Sequence, residues 1–415
     1  MPQRNNLAGE MESQLPARMV EFMQQAGLVA AGQSENLYLV GGVVRDLLLK
    51  RPKLDVDLVV RGDAIALAKK LAGVTNAKLT IHPRFGTSTL TWDTWQVDIA
   101  TSRSEHYDRP GALPTVHAGP LDMDMFRRDF TINAMAIELS PKDWGNVIDY
   151  YGGRADLEKG WLRILHEDSF IDDATRILRG LRYEQRLDFK FEPKTLKLLK
   201  RDARMIQTIS GDRIRHELER ILVEEQPEKV ILRATKLNVL PEIHPALQGD
   251  AWLARKFRQA RQAKTELSLK EIYLALIAYR LSASELEKLI SHLKLNKFGT
   301  RILLESYAIK SKLDSLAVPE LSPSGIYNML HGFNNLALFT NLTATDSQPV
   351  KRRIGQFLTK LKDVKPSLTG TDLQKLGIDP GPQMKEMLHR LLEARLNGEV
   401  KNKKEELEIV EQWIA

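Results

Sequence analysis

The chain has 415 residues, 43% hydrophobic and 28% charged, a balance that belongs to globular proteins and excludes disordered or fibrous ones. Its length exceeds the roughly 250 to 300 residues that one core serves, so two to four units are expected. Cysteine is absent, which excludes disulfides, thiol nucleophiles and thiolate metal sites and fits a reducing compartment such as the cytoplasm. A net charge of +7 and a pI near 9.3 favour a polyanionic partner without singling one out.

In chain order, residues 1–35 read as an N-terminal helix without the apolar centre of a signal peptide, and no run approaches the roughly 18 apolar residues of a membrane span. From about 36 to 140, the β-like runs LYLVGG, VDLVV, AKLTIH, TSTLTW, QVDIA and TINAMAIEL alternate with helical stretches, which predicts a mixed α/β domain. The paired glycines of YYGGRADLEKG, near 150 to 160, read as a joint. From about 168 the strand pattern gives way to helical apolar spacing, as in DDATRILRGLRYEQRL, GDRIRHELERILVEEQ and ASELEKLISHLKL. VPELSPSG at 318–325 and GIDPGPQ at 377–383 punctuate this part, the latter before a final helix from about 384. No fixed-period repeat or low-complexity tract is present.

LVGGVVRD, at 39–46, is a strand that ends in Gly41-Gly42 and leads into a helix, with Arg45 one turn inside. Backbone N–H groups at bare glycines can approach phosphate oxygens, and a helix N-terminus favours anions. It matches neither of the two common phosphate-binding glycine motifs, so by itself it also reads as a plain tight turn. Asp55 and Asp57 follow in KLDVDLVV. In a strand their carboxylates would project to one face, where mutual repulsion invites a cation, and hard oxygen donors suit Mg²⁺. Two solvated acids on an edge strand are the alternative, against which the apolar Val56, Leu58, Val59 and Val60 argue. Asp98, in the apolar run WQVDIATSR, is a third acid that could bind a metal or accept the nucleophile's proton. A strand acid satisfied by a neighbouring arginine is the competing reading.

FRRDFTINAMAI, at 126–137, sets Arg127 and Arg128 to neutralise a triphosphate, and Asp129 or Asn133 to meet a ribose hydroxyl. Asp129 could also simply cap a helix. In IDDATRILRGLRYEQRL, at 171–187, Ala174, Ile177, Leu178 and Leu181 share one helical face, while Asp173, Arg176, Arg179 and Arg182 trace an arc on the other. That arc is either a binding surface or a solvated face with an Asp173–Arg176 ion pair. The bases Arg255, Lys256, Arg258 and Arg261 in WLARKFRQARQAK likewise read as a solvated helix face or as a grip on a nucleic-acid backbone.

With GGVVRD, DVD, RRDFTINAMA, DDATRILRGLRYEQRL and SGDRIRHELERIL in this order, residues 36–225 resemble the class II tRNA nucleotidyltransferase and bacterial poly(A) polymerase family, most of all its CCA-adding members. The segment TGTDLQKLGIDPGPQMKEMLHRLLEARLNGEVKNKKEEL resembles a tail common among them. The resemblance implies an α+β fold, with a polymerase-β-like palm followed by an all-helical neck, body and tail. The expected parts are an N-terminal helix (1–35), a head (36–165), a neck with a nucleobase-selecting helix (166–230), a body (231–318) and a tRNA-binding tail (319–415).

It further implies that Asp55 and Asp57 bind Mg²⁺ and act with Asp98 in catalysis, while Gly41, Gly42 and Arg45 hold the incoming nucleotide. Arg127, Arg128, Asp129 and Asn133 would meet its triphosphate and ribose. Asp173 and Arg176 would read the base edge of CTP or ATP, with Arg179 and Arg182 on the same arc. The motif Glu-Asp-x-x-Arg falls on Asp172 to Arg176, Asp172 standing where glutamate is usual. EHYDRPGALPTVHAG, at 105–119, matches a segment implied to help switch specificity from C to A. Its Gly111 and two prolines suit an ordered turn as well as a moving lever. No histidine is followed by aspartate, so the HD phosphohydrolase signature is absent.

The expected activity is template-independent addition of CMP and AMP to the 3′ end of tRNA, the substrates being tRNA, CTP and ATP. The alternatives are a CC-adding or A-adding partial enzyme, a poly(A) polymerase, or a non-catalytic RNA-binding protein that kept the fold. Oligomeric state is not legible.

Overall fold

A computed structural model describes residues 6–51, 56–93 and 95–414; Asp55 lies outside them. The chain divides into two compact units, one formed by residues up to Glu217 with Lys236–Ile243, the other by Leu218–Thr235 with His244 onward.

In the first unit, two helices, α1 (Ala8–Gln14) and α2 (Ala17–Ala31), precede strand β1 (Asn36–Val40). Helix α3 (Gly42–Leu48) follows, then β2 (Val56–Arg61) and α4 (Ala64–Thr75). The Asp63 carboxylate starts α4 by accepting from the N–H groups of Ile65 and Ala66. Next come β3 (Lys78–His82), β4 (Thr87–Thr91), β5 (Gln96–Thr101), β6 (Arg103–His106) and β7 (Thr115–Ala118). Helix α5 (Leu121–Phe126), β8 (Met135–Glu138) and β9 (Val147–Asp149) complete the sheet region. The main sheet runs β3-β4-β5-β2-β1-β8-β9, antiparallel except where β2 lies parallel to β5.

Alternation along β2 turns Leu58 and Val60 to one buried face, and Leu67 and Leu71 are buried on α4, which packs on β3, β4 and β5. Val59, one residue over, packs with Tyr38, Val40, Ala136 and the α5 residues Leu121 and Met125. Asp57 shares the side of Val59, and therefore stands at the end of the face covered by α5.

Two sequence expectations give way to the observed fold. Of TINAMAIEL, only Met135–Glu138 is strand; Thr131–Asn133 forms a 3-10 turn, because the Asn133 side chain is tied to Asp129. At the glycine pair expected as a joint, the main sheet ends with Asp149 and Gly152 (φ 75°) leads into α6 (Gly153–Lys159), within the first unit. The arginine-rich helix is broken: α7 (Ser169–Asp172) ends at Asp173, which is extended, and α8 runs Thr175–Leu187. The break is a local competition, since the Asp173 carboxylate accepts from the Thr175 N–H and hydroxyl. After α8 come α9 (Pro193–Asp202) and α10 (Gly211–Leu222). A two-residue parallel pairing of Trp161–Leu162 with Lys190–Phe191 is the only further strand ladder among the described residues beyond the main sheet and the β6–β7 hairpin.

The second unit is helical throughout its described residues, as the sequence predicts. Ile309, Leu330, Leu338 and Ile354 centre one core, and Leu368, Leu373, Leu391 and Val410 a smaller one. Capping boxes start helices at Ser282 with Glu285 and at Thr369 with Asp372. The basic run at 252–264 departs from a solvated face at Lys256, which is fully buried and donates to Asp346 Oδ1 at 2.6 Å, while Arg261 pairs with Glu228 at 2.8 Å. No described helix is long and apolar enough to cross a membrane.

Candidate active site

The turn after β1 is built on Gly41, whose φ of 81° lies in the left-handed region that glycine alone adopts freely. A Cβ there would stand 3.1 Å from Arg128 Nη1 and 3.4 Å from Asp57 Oδ2. The glycine turn, the second arginine of RRD and the second acid of DVD therefore meet. Asp57 and Asp98 are direct register partners on the parallel strands β2 and β5, a spacing of about 4.8 Å between strands. Asp98 is held by the Thr89 hydroxyl, which donates at 2.6 Å, and among the described residues no arginine pairs with it. Half-exposed carboxylates side by side on one sheet face fit a hard divalent cation by donor type. Among the described residues, no three acids or histidines form a metal cluster; Asp55, the expected partner of Asp57, is outside them.

Arg127 and Arg128 share one buried acid. Arg127 donates to Asp124 Oδ1 at 2.8 Å and to Glu105 at 3.0 Å, and Arg128 donates to Asp124 Oδ2 at 3.1 Å. Burial raises the Asp124 pKa, but the two guanidinium charges outweigh it and hold the carboxyl below its usual range. Arg127 is thus committed to acids of the fold. Arg128 is the one that reaches the glycine turn.

A continuous relay joins the glycine-turn helix to α8. Arg45 is 4% exposed, chelates both oxygens of Asp46 and donates to Asn133 Oδ1 at 2.6 Å. Asn133 Nδ2 donates to Asp129 Oδ1 at 2.9 Å, and that oxygen also accepts from the Phe130 N–H. Asp129 Oδ2 takes Arg179 through Nε and Nη2 at 2.8 and 2.6 Å. Asp129 does not cap the turn that follows, whose N-cap position is Phe130 with no side-chain cap bond. Burial would raise its pKa, yet Arg179, Asn133 and Arg176 bring it down to about 2. Arg45, Arg179 and Arg182 place guanidinium carbons 5.3, 5.8 and 5.0 Å from the Tyr183 ring centre, which offers its negative face to the crowded cations.

The arc on α8 is not a solvated face. Arg176 and Arg182 are 4% and 8% exposed. Arg176 donates to the Ser169 hydroxyl and to the Arg127 carbonyl, both at 2.6 Å, and Asp173 pairs instead with Arg213 at 2.7 Å. Arg182 lies 3.9 Å from Glu217, which also faces Arg179. Asp172, the shorter acid of the motif, stands 3.8 Å from His166 and keeps a raised pKa, through burial and the neighbouring Asp168 and Asp173. The segment 105–119 carries the end of β6, the connecting loop and β7, and Glu105 accepts from Tyr107, Arg103 and Arg127.

Sequence reasoning passes over Asp124, Glu105, Tyr183 and Arg213. Asp124 sits three and four residues before the two arginines, a spacing that pairs charges along one helical turn. Arg213 lies in SGDRIRHELERIL, whose local pattern singles out no one residue, and nothing nearby links it to Asp173, forty residues earlier.

The family model of the poly A polymerase head domain matches residues 37–163, that described as "Probable RNA and SrmB- binding site of polymerase A" matches 188–250, and one for tRNA nucleotidyltransferase domain 2 matches 334–410. The A-adding tRNA nucleotidyltransferase of Halalkalibacterium halodurans is 32% identical over 99% of this chain and 96% of its own length. That of Geobacter sulfurreducens is 34% identical over 98% of this chain, but the chain spans only 48% of that longer relative. The solved Thermotoga maritima CCA-adding enzyme complexed with tRNA superposes with a TM-score of 0.79 at 28% identity, covering 99% of both chains.

Proposed function

The chain belongs to the tRNA nucleotidyltransferase family, and from that premise we propose that it extends the 3′ end of tRNA by nucleotidyl transfer from a nucleoside triphosphate. The observation that carries this reading is the meeting of Asp57, in register with Asp98, with the Gly41 turn and Arg128. The tRNA 3′-hydroxyl attacks the α-phosphorus and pyrophosphate leaves. Asp98, which accepts from Thr89, would receive the hydroxyl proton, and Arg128 would neutralise phosphate oxygens beside the glycine turn. Asp57 and Asp55 would hold a divalent cation, Mg²⁺ by the hardness of the donors, which supplies charge neutralisation at the phosphates. Asp173 and Arg176 read the base edge, with Gly42 and Arg45 shaping the nucleotide's entry and the relay from Arg45 to Arg179 holding both sides of the site in place. A cysteine-free chain acting on tRNA suits the cytoplasm.

The sequence motifs alone point to complete CCA synthesis from CTP and ATP. A narrower reading, addition of AMP to tRNA already ending in CC, is favoured by the two relatives of 32% and 34% identity, both A-adding. Purified protein is given tRNA lacking CCA or tRNA ending in CC, with labelled CTP and ATP singly and together. Label from ATP on the CC-ended tRNA only supports A addition, and incorporation of C followed by A on the shorter tRNA supports CCA synthesis. Growth that stops after two C residues sinks both, and no incorporation at all sinks tRNA extension itself.

A further inference from the structure

Asp173 sits in the extended break between α7 and α8, and every hydrogen bond it receives among the described residues falls on the same oxygen. Thr175 donates its N–H at 2.9 Å and its hydroxyl at 2.6 Å, and Arg213 Nη2 donates at 2.7 Å, all to Oδ1. Arg213 comes from the first turn of α10 and is anchored from a second side, its Nη1 reaching the Gly111 carbonyl at 3.4 Å. Gly111 has φ 73°, and a Cβ there would meet the Thr208 carbonyl at 2.5 Å, so that approach requires glycine. Both charged partners are largely covered, with side chains 25% and 19% exposed.

A carboxylate on a chain break ordinarily swings about its second side-chain torsion, which is broad. Three donors on one oxygen remove that freedom and leave the other oxygen as the remaining acceptor. We propose that Arg213 is a positioning residue for nucleotide selection: it pins Asp173 by Oδ1 so that Oδ2 is presented to the amino group of adenine or cytosine. The inference rests on the reading of Asp173 as a base-edge contact. An ionised carboxylate only accepts hydrogen bonds, so a fixed one rejects guanine and uracil, which place a carbonyl oxygen where adenine and cytosine carry an amino group. A mobile carboxylate would turn aside and discriminate less. Arg213 itself touches no base, and its effect is therefore on choice and not on the bond-making step.

The test is calorimetric binding of ATP, CTP, GTP and UTP to the full chain without tRNA, with tRNA extension followed separately. The wild type is expected to bind ATP or CTP about tenfold or more tightly than GTP and UTP, the worth of one well-aligned hydrogen bond. Arg213→Ala collapses that ratio toward one, Arg213→Lys restores part of it, and in extension the variant's loss falls on KM for the nucleotide more than on kcat. A wild-type ratio retained in Arg213→Ala overturns the inference, as does a wild type without any preference. If the alanine variant does not fold, Arg213→Lys and Thr175→Val decide: a lowered ratio in either supports pinning, and unchanged ratios in both overturn it. Failure of the wild type to extend any tRNA counts against the proposed tRNA activity alone, because the binding ratio is read without tRNA.

Discussion

Arg179 and Asp129 lie fifty residues apart and meet through two donors on a single carboxylate oxygen, at 2.8 and 2.6 Å. The contact fastens α8 to the RRD segment, and Asn133 carries it on to Arg45 beside the glycine turn.

This pair predicts a pH signature. Asp129 holds a pKa of about 2 against burial, chiefly through Arg179, whereas an unfolded aspartate titrates near 3.9. A depressed folded value stabilises the native state above the unfolded pKa, by about 2 kcal/mol, and that contribution is lost as pH falls from about 4 to 2. Arg179→Gln should cost roughly 2 to 3 kcal/mol at pH 7 by leaving a buried charge without its cation, and should flatten the slope between pH 4 and 2. Urea midpoints measured across this range check it; a variant with the wild-type slope would show that Asp129 does not set it.

Asp57→Ala should abolish nucleotide transfer, by at least about a thousandfold, while tRNA binding in a filter assay stays within about threefold. Asp55→Ala is expected to behave alike. Retained turnover in either variant would show that the acids of DVD are not the metal-binding pair.

Gly41→Ala forces a Cβ into φ 81° and to within 3.1 Å of Arg128 Nη1. The backbone cost is about 1 to 3 kcal/mol, and the displaced Arg128 should lower kcat/KM at least tenfold. Melting temperature and kinetics together separate the two effects, and wild-type kinetics in a folded variant would show that the turn tolerates the change.

Gly180→Ala places a methyl 2.7 Å from Phe130 Cζ and 2.8 Å from the Phe191 ring, on the apolar side of α8. Better helix propensity gains less than about 1 kcal/mol, and overpacking costs about 1 to 3. Destabilisation wins, and thermal denaturation should show a lowered melting temperature; a rise would mean that the rings yield.

Much of the fold is readable in the sequence because its signals are local. Short β-like runs mark β1, β2, β4 and β5, and the i, i+2 spacing of Asp55 and Asp57 is enough to put two acids on one face of a strand. The helices of the body and tail are equally plain from their apolar spacing and proline punctuation. The break at Asp173 is not, because helical apolar spacing runs unchanged through it while a side chain two residues from Thr175 takes over the backbone. Nor is the burial of Arg176, Arg182 and Lys256, since charge in a sequence says nothing about which partner waits across the fold.

Residue type at short spacing carries most of the elements, the acids of DVD, the glycine turn and the family. Which charges meet is a property of the folded chain. The fold set Asp98 beside Asp57, gave Asp124 to two arginines, and joined Asp173 to Arg213 instead of Arg176. The reason is physical: hydrophobic periodicity repeats along one chain segment, whereas a buried ion pair is stable only where two distant segments bring opposite charges together out of water.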